Sequence, residues 1–264
     1  MSQVLARRER LGYAGGVMND PMHVTPRRLV PLVGPLVWSA AELAPSDCMI
    51  PLGAEHAAEL EAARSAIAAG VPSDPTPRLD MLAEELRSRL DHGRGFALLR
   101  GLHAAGDPDM PLRILAGRLG EPCAATPATG RHHGEACDAL LLRMTEPATA
   151  RLRSAAAVHN ALLRADKAGL SALYETRGEP PLAVFSHEGG IFGGRWDDEA
   201  LPPDLLPAAL EAAMGEPMTL SLRVGDILAL NPFLVWAERI PGAVVTACRE
   251  VPSRLDNPGF AALR

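Results

Sequence analysis

The sequence has no apolar run close to the roughly 18 consecutive residues that a transmembrane helix needs. Its four cysteines (Cys48, Cys123, Cys137 and Cys248) are widely spaced and form no C-x-x-C pair, which argues against a metal-thiolate site. The chain does not open with the charged and apolar segments of a secretory signal. We therefore expect a cytoplasmic protein with no membrane association.

Two further classes of function lack their usual signals. Basic residues are scattered, the formal net charge is -6 and the pI is about 5.8, so no surface for nucleic acid is indicated. The glycine pairs at residues 189–190 and 193–194 lack the G-x-x-x-x-G-K-[ST] pattern of a phosphate-binding loop. We expect a small-molecule partner, and the sequence leaves a homo-oligomer open.

The composition is that of an ordinary folded domain. The 264 residues are 47% hydrophobic and 22% charged, which suffices for a large core. Residues 1–34 lack sustained periodicity and are predicted to be an extended lead-in. Residues 35–264 are predicted to form a single domain without internal repeats.

Helical patterns come first along that domain and strand patterns come last. Helices are predicted over residues 53–69, 79–90, 109–119, 154–163 and 202–214. Strands are predicted over residues 95–101, 138–143, 181–186, 218–223, 227–230, 233–236 and 243–249, with a loop after residue 143. Short strands joined by tight turns favour a mainly β sandwich or jelly roll with flanking helices over a parallel βαβ sheet.

The chemically most informative stretch is residues 131–138, which places His132, His133 and Glu135 just before an apolar run. Side chains on a strand alternate, so His133 and Glu135, two positions apart, are expected to face the same way. A His-x-Asp/Glu pair supplies two of the three ligands in the 2-His-1-carboxylate site of iron oxygenases. We therefore predict that His133 and Glu135 are metal ligands, with a second histidine required from a distant strand.

Five blocks, in order, resemble the taurine-dioxygenase-like family of Fe(II)/2-oxoglutarate-dependent oxygenases. They are residues 93–101, 119–120, 133–138, 154–163 and 224–227, followed by Asn231 and Arg239. The resemblance runs from about Trp38 to the C-terminus. It implies a double-stranded β-helix, a clavaminate-synthase-like jelly roll with iron at its mouth. It also implies that 2-oxoglutarate is decarboxylated to succinate while hydrogen is abstracted from a small substrate.

The sequence departs from that family at two positions. Ala237 stands where the family has its second histidine ligand, and no histidine follows His187. The family's last strand carries two arginines, four residues apart, that pair with the carboxylates of 2-oxoglutarate. Arg249 matches the second arginine and is predicted to bind the cosubstrate, whereas Val245 replaces the first. The resemblance thus implies Fe(II) and 2-oxoglutarate as cofactors, each with an incomplete site.

Other residues are candidates by their place in the family pattern. His187, Arg195 and Trp196 fall where the family has substrate-facing residues. His187 is also a candidate for the missing iron ligand. His132 suits that role less well, because neighbouring strand residues face opposite ways.

Two functions are compatible with these residues. The first is a divergent Fe(II)/2-oxoglutarate-dependent dioxygenase, an oxidoreductase that acts on a small molecule. The alternative is a jelly roll that has lost iron and 2-oxoglutarate chemistry and serves metal-free catalysis, ligand binding or partner assembly. Cys137 lacks an evident base partner, and the sequence assigns no catalytic residue.

Overall fold

The computed structural model describes residues 29–72, 74–102, 107, 109–124, 130–196 and 206–263. Its α-helices are α1 (Ala54–Ala69), α2 (Pro77–Asp91), α3 (Met110–Leu119), α4 (Ala155–Ala165), α5 (Lys167–Ala172) and α6 (Leu210–Met214). Its strands are β1 (Met49–Pro51), β2 (Phe96–Arg100), β3 (Glu121–Cys123), β4 (Ala139–Met144), β5 (Ala148–Ser154), β6 (Phe185–Glu188), β7 (Ile191–Gly194), β8 (Met218–Leu222), β9 (Ile227–Leu230), β10 (Val235–Ala237) and β11 (Ala243–Arg249). None of the helices in these ranges has the length and apolarity to span a bilayer.

Two larger sheets and a two-stranded sheet of β6 and β7 form the β structure of the described residues. The larger has six strands in the order β1-β2-β9-β4-β11-β3, and the smaller has three in the order β10-β5-β8. β1 runs parallel to β2, whereas β4 pairs antiparallel with both β9 and β11, far away in sequence. Such long-range antiparallel pairing is typical of a jelly roll. The predicted mainly β fold with flanking helices is confirmed.

The larger sheet is apolar on both faces. Leu140 and Leu142 of β4 pack in the core that the two sheets share. Ala139 and Leu141 of the same strand pack in a second core formed with α1, α2 and α3. A strand buried on both sides needs apolar side chains at every position, which is why β4 begins with a continuous apolar run.

Three predicted elements differ from the structure. β6 begins only at Phe185, so residues 181–184 of the strand predicted at residues 181–186 are irregular apart from an isolated bridge at Leu182. The helix predicted over residues 202–214 is reduced to α6 (Leu210–Met214), although residues 201–205 lie outside the described part of the chain. The loop predicted after residue 143 contains β5, the central strand of the smaller sheet. β5 alternates apolar and polar residues, but two of its three apolar residues are alanines, which are depleted in strands, and the sequence alone does not identify it.

The start of the described chain is attached to α4. The Leu32 N–H donates to Asn160 Oδ1 at 2.8 Å, and Asn160 Nδ2 donates to the Leu32 carbonyl at 2.8 Å. Residues 1–28 of the predicted lead-in lie outside the described residues. The single-domain assignment of residues 35–264 stays a prediction.

Candidate functional site

The His-x-Glu stretch lies against the end of β10. His132 forms an isolated β-bridge with Glu238, and the His133 N–H donates to the Ala237 carbonyl at 2.8 Å. The backbone thus places Ala237 directly beside His133, where the resemblance requires a second histidine. A methyl group at this position offers no electron pair to a metal ion.

Arg195 and Trp196 contact the backbone of the His-x-Glu stretch at Gly134. The buried Arg195 guanidinium donates from Nε and Nη2 to the Gly134 carbonyl at 3.0 and 2.7 Å. A side chain at Gly134 would place its Cβ 2.9 Å from the Trp196 carbonyl oxygen, so only glycine allows the close approach. The Trp196 ring packs on Trp236 with 5.3 Å between centroids. Predicted as substrate-facing residues, Arg195 and Trp196 contact the His-x-Glu backbone and the core.

The hydrogen bonds of His133 define its tautomer. The backbone N–H of Ile240 donates to His133 Nε2 at 3.2 Å, so Nε2 is unprotonated. A neutral imidazole carries its one proton on the other nitrogen, so Nδ1 donates to Glu135 Oε1 at 3.0 Å. Both ring nitrogens are therefore occupied by hydrogen bonds within the protein.

A pocket of about 480 Å³ opens beside this pair. Its polar lining comes from His133, Glu135 and Arg239, and its apolar lining comes from Ile240, Pro241, Ala243 and Val245. We call it the mouth pocket. Glu135 is only 4% exposed, and its Oε2 has no hydrogen-bond partner among the described residues. An unpaired buried carboxylate oxygen is costly, so the pocket favours an occupant that donates a hydrogen bond.

Glu238, next to Ala237, is a partly buried carboxylate that sequence reasoning missed. It forms ion pairs with Arg131, Arg151 and Arg153 at 3.2, 3.2 and 2.9 Å. Burial alone would raise the pKa of Glu238, but the hydrogen bond from Arg153 and the charges of the other arginines lower it. Glu238 is thus bound to arginines and does not line the mouth pocket.

The lining of the mouth pocket does not include the other candidate residues. Arg249 donates from Nη2 to the Leu263 carbonyl at 3.3 Å and is absent from the lining of the mouth pocket. His187, on β6, lines a different cavity. The His132 ring packs edge-on against Trp196 with 6.3 Å between centroids. Burial raises the pKa of the Cys137 thiol well above its ordinary value, which disfavours the nucleophilic thiolate.

These residues do not fit an iron ion. Within the described ranges, no group of three His, Cys, Asp or Glu side chains could hold a metal. His133 would have to break its bond with Ile240 to ligate through Nε2, or lose its proton to ligate through Nδ1. Val245 also leaves the predicted cosubstrate site with Arg249 alone.

Solved structures show where the fold occurs elsewhere, although no family model and no curated protein matches the sequence. Asparagine oxygenase is similar over 76% of this chain and 93% of its own, with 17% identity and a TM-score of 0.54. Its complex with Fe(II), 2S,3S-3-hydroxyasparagine and succinate covers the same shares, with 17% identity and a TM-score of 0.51. The non-heme iron oxygenase OrfP in complex with Fe and L-Arg also covers 76% and 93%, with 15% identity and a TM-score of 0.50. The chain therefore has the jelly-roll fold of non-heme iron oxygenases.

Proposed function

We propose that this protein binds a small molecule in the mouth pocket and works without iron or 2-oxoglutarate. The observation that carries the proposal is the occupation of both His133 nitrogens, by the Ile240 N–H and by Glu135. Ala237 and Val245 support it, because each replaces a polar group that iron or 2-oxoglutarate would need. An apolar pocket with a few fixed polar groups is the usual form of a small-molecule site.

The pocket's chemistry selects the occupant. His133 holds one oxygen of Glu135, and the other oxygen calls for a hydrogen-bond donor such as an amide, hydroxyl or ammonium group. Arg239 adds a guanidinium whose Nε is held by the Gly130 carbonyl at 2.9 Å. The walls formed by Ile240, Pro241 and Ala243 suit an apolar portion of the same molecule.

A divergent iron-dependent oxygenase is the second candidate. It is favoured by the adjacency of His133 and Glu135, whose Nδ1 and Oε1 lie 3.0 Å apart, within a fold that iron oxygenases share. In that case the substrate class would follow the neighbours, which include an asparagine oxygenase and a complex of OrfP with L-Arg. Activity would need a changed His133 hydrogen bond and a third ligand from the solvent.

Anaerobic calorimetry with Fe(II), combined with assays for succinate formation from 2-oxoglutarate, separates the two candidates. We expect no stoichiometric iron binding and no succinate above a protein-free control. Stoichiometric Fe(II) binding that Glu135→Ala abolishes, together with iron-dependent succinate formation, would establish the oxygenase and overturn the proposal.

A further inference from the structure

A second cavity, of about 730 Å³, lies at the other end of β11 from the mouth pocket. We call it the distal cavity. It is bounded by the C-terminal loop at residues 250–254, the end of α2, the β6–β7 hairpin and residues 30–36. Val245 lines the mouth pocket and Glu250 lines the distal cavity. Five residues of extended strand separate them by about 16 Å, so the two sites are distinct.

The polar end of the distal cavity is a group of two carboxyls and one guanidinium. Arg254 forms an ion pair with Asp91 through Nη1 and donates from Nη2 to the Asp91 backbone carbonyl at 3.2 Å. The Glu250 carboxyl is hydrogen-bonded to the Asp91 carboxyl. Two carboxyls can share a hydrogen bond only if one of them keeps a proton.

This loop is held in place by a buried carboxylate outside the cavity. Asp138, which is 2% exposed, accepts from the Glu250 N–H at 3.0 Å through Oδ2 and from the Arg254 N–H at 2.8 Å through Oδ1. The positions of Glu250 and Arg254 are therefore fixed by the fold, as a prepared binding site requires.

Arg254 supplies one positive charge for two carboxyl groups, so Asp91 and Glu250 are not both ionised. Burial, followed by the hydrogen bond and charge of Asp91 and the charge of Asp138, together raise the pKa of Glu250 to about 8. Arg254 is already paired with Asp91, and Arg87 donates to Glu84 and to the Arg118 and Leu119 carbonyls. The titratable and charged groups around Glu250 are Arg87 and Asp91 of α2, His92 directly after it, Asp138, Cys248 of β11, His187 of β6, and Arg254. Glu250 Oε1 is buried with no hydrogen-bond partner among the described residues.

We propose that the distal cavity is a second ligand site that takes a small apolar amine, with its ammonium group against Asp91 and Glu250. Its apolar part would pack on Leu32, Leu36, Phe192 and Leu234, which line the same cavity. The arriving cation stabilises the Glu250 carboxylate, so the proton held between the two carboxyls leaves to the solvent. Two carboxylates then face two cations, the ligand and Arg254. An anionic ligand would instead add to the negative charge of Asp91.

Benzylamine is a suitable probe, with benzyl alcohol and benzoate as neutral and anionic controls of the same shape. We expect benzylamine alone to shift the amide resonances of Gly190, Ile191 and Leu234 in the full-length protein. Calorimetry at neutral pH, in buffers with different ionisation heats, should show the release of about one proton per benzylamine, because a group with a pKa of about 8 is mostly protonated there.

Glu250→Gln should abolish the proton release and weaken benzylamine binding roughly tenfold or more, as expected for the loss of a charge-assisted hydrogen bond. Glu211→Gln, on the exposed side of α6, should change neither quantity. If Glu250→Gln does not fold, Ile191→Trp at the rim of the cavity keeps the carboxyls and should block binding. Equal binding of benzyl alcohol, no binding of benzylamine, shifts confined to residues 240–245, or proton release that persists in Glu250→Gln would each overturn the proposal.

Discussion

The mouth pocket and the distal cavity differ in how each stabilises a carboxyl group that is shielded from solvent. Each places a carboxyl group in a largely buried position beside other polar groups. In the mouth pocket, the neutral His133 ring donates a hydrogen bond to the Glu135 carboxylate. The Ile240 N–H fixes the His133 tautomer that makes this possible. In the distal cavity, burial and the neighbouring Asp91 raise the pKa of Glu250 to about 8, so Glu250 keeps its own proton at neutral pH.

The comparison shows that fold and chemistry are set by different residues. The mouth pocket contains the His-x-Glu pair for which the sequence predicted an iron site, but its hydrogen bonds and Ala237 leave no metal-ligating set among the described residues. The distal cavity carries its polar group at the opposite end of β11, on a loop that Asp138 positions. The location of a pocket in a jelly roll is therefore a poor guide to its ligand, and the donors and acceptors around each carboxyl are a better one.

The largest effect should follow from removing the buried carboxylate that positions the loop of the distal cavity. Asp138→Ala takes away the acceptor of two partly buried backbone N–H groups and leaves a gap at a buried position, so we expect a loss of about 3 kcal/mol in the free energy of unfolding. Urea titration followed by circular dichroism measures it. Asp47→Ala is the matched control, because that exposed carboxylate also accepts a backbone N–H, from Ala44 at 3.0 Å, and should cost about 1 kcal/mol or less. Equal losses in the two variants would show that the loop does not depend on Asp138.

Restoring the missing ligand should have the next largest effect, at the mouth pocket. Ala237 is fully buried, so Ala237→His overpacks the core and should lower the free energy of unfolding by about 1 to 3 kcal/mol. The new imidazole lies beside His133, so Fe(II) should recover part of this loss. Thermal unfolding with and without Fe(II) tests this, with the wild-type protein expected to show no response. A wild-type protein that Fe(II) stabilises as much as the variant would contradict the two-ligand description of the site.

The sequence located the mouth pocket because its signals are local or ordered along the chain. Period-two alternation predicted that His133 and Glu135 face the same way, and the order of family blocks placed Ala237 opposite them. The tautomer of His133 depends on the N–H of Ile240, 107 residues away, and has no sequence pattern. The role of Arg195 as a clamp on Gly134 is equally a product of packing. The distal cavity was not predicted because its walls come from five separate parts of the chain that meet only after folding.

The smallest expected effect is on the pH dependence of the free energy of unfolding. It tests whether Glu250 of the distal cavity holds a proton in the folded protein. The pKa of Glu250 rises from its ordinary 4.5 to about 8 in the folded protein, mainly through burial. Between these values the folded state binds more protons than the unfolded state. The contribution of Glu250 to stability is therefore fully present below 4.5 and is lost as the pH rises through about 8.

Glu250→Gln keeps the shape and the hydrogen bond to Asp91 but removes the titration. Wild-type stability minus that of Glu250→Gln should therefore fall steadily as the pH is raised from about 5 to about 9. The informative quantity is the slope of this stability difference against pH. A purely structural effect of the substitution would change the difference by the same amount at every pH. Glu211→Gln measures the pH dependence that removing an exposed glutamate brings by itself. If the two differences run parallel across this range, Glu250 does not hold a proton in the folded protein, and the contrast between the two carboxyl sites fails.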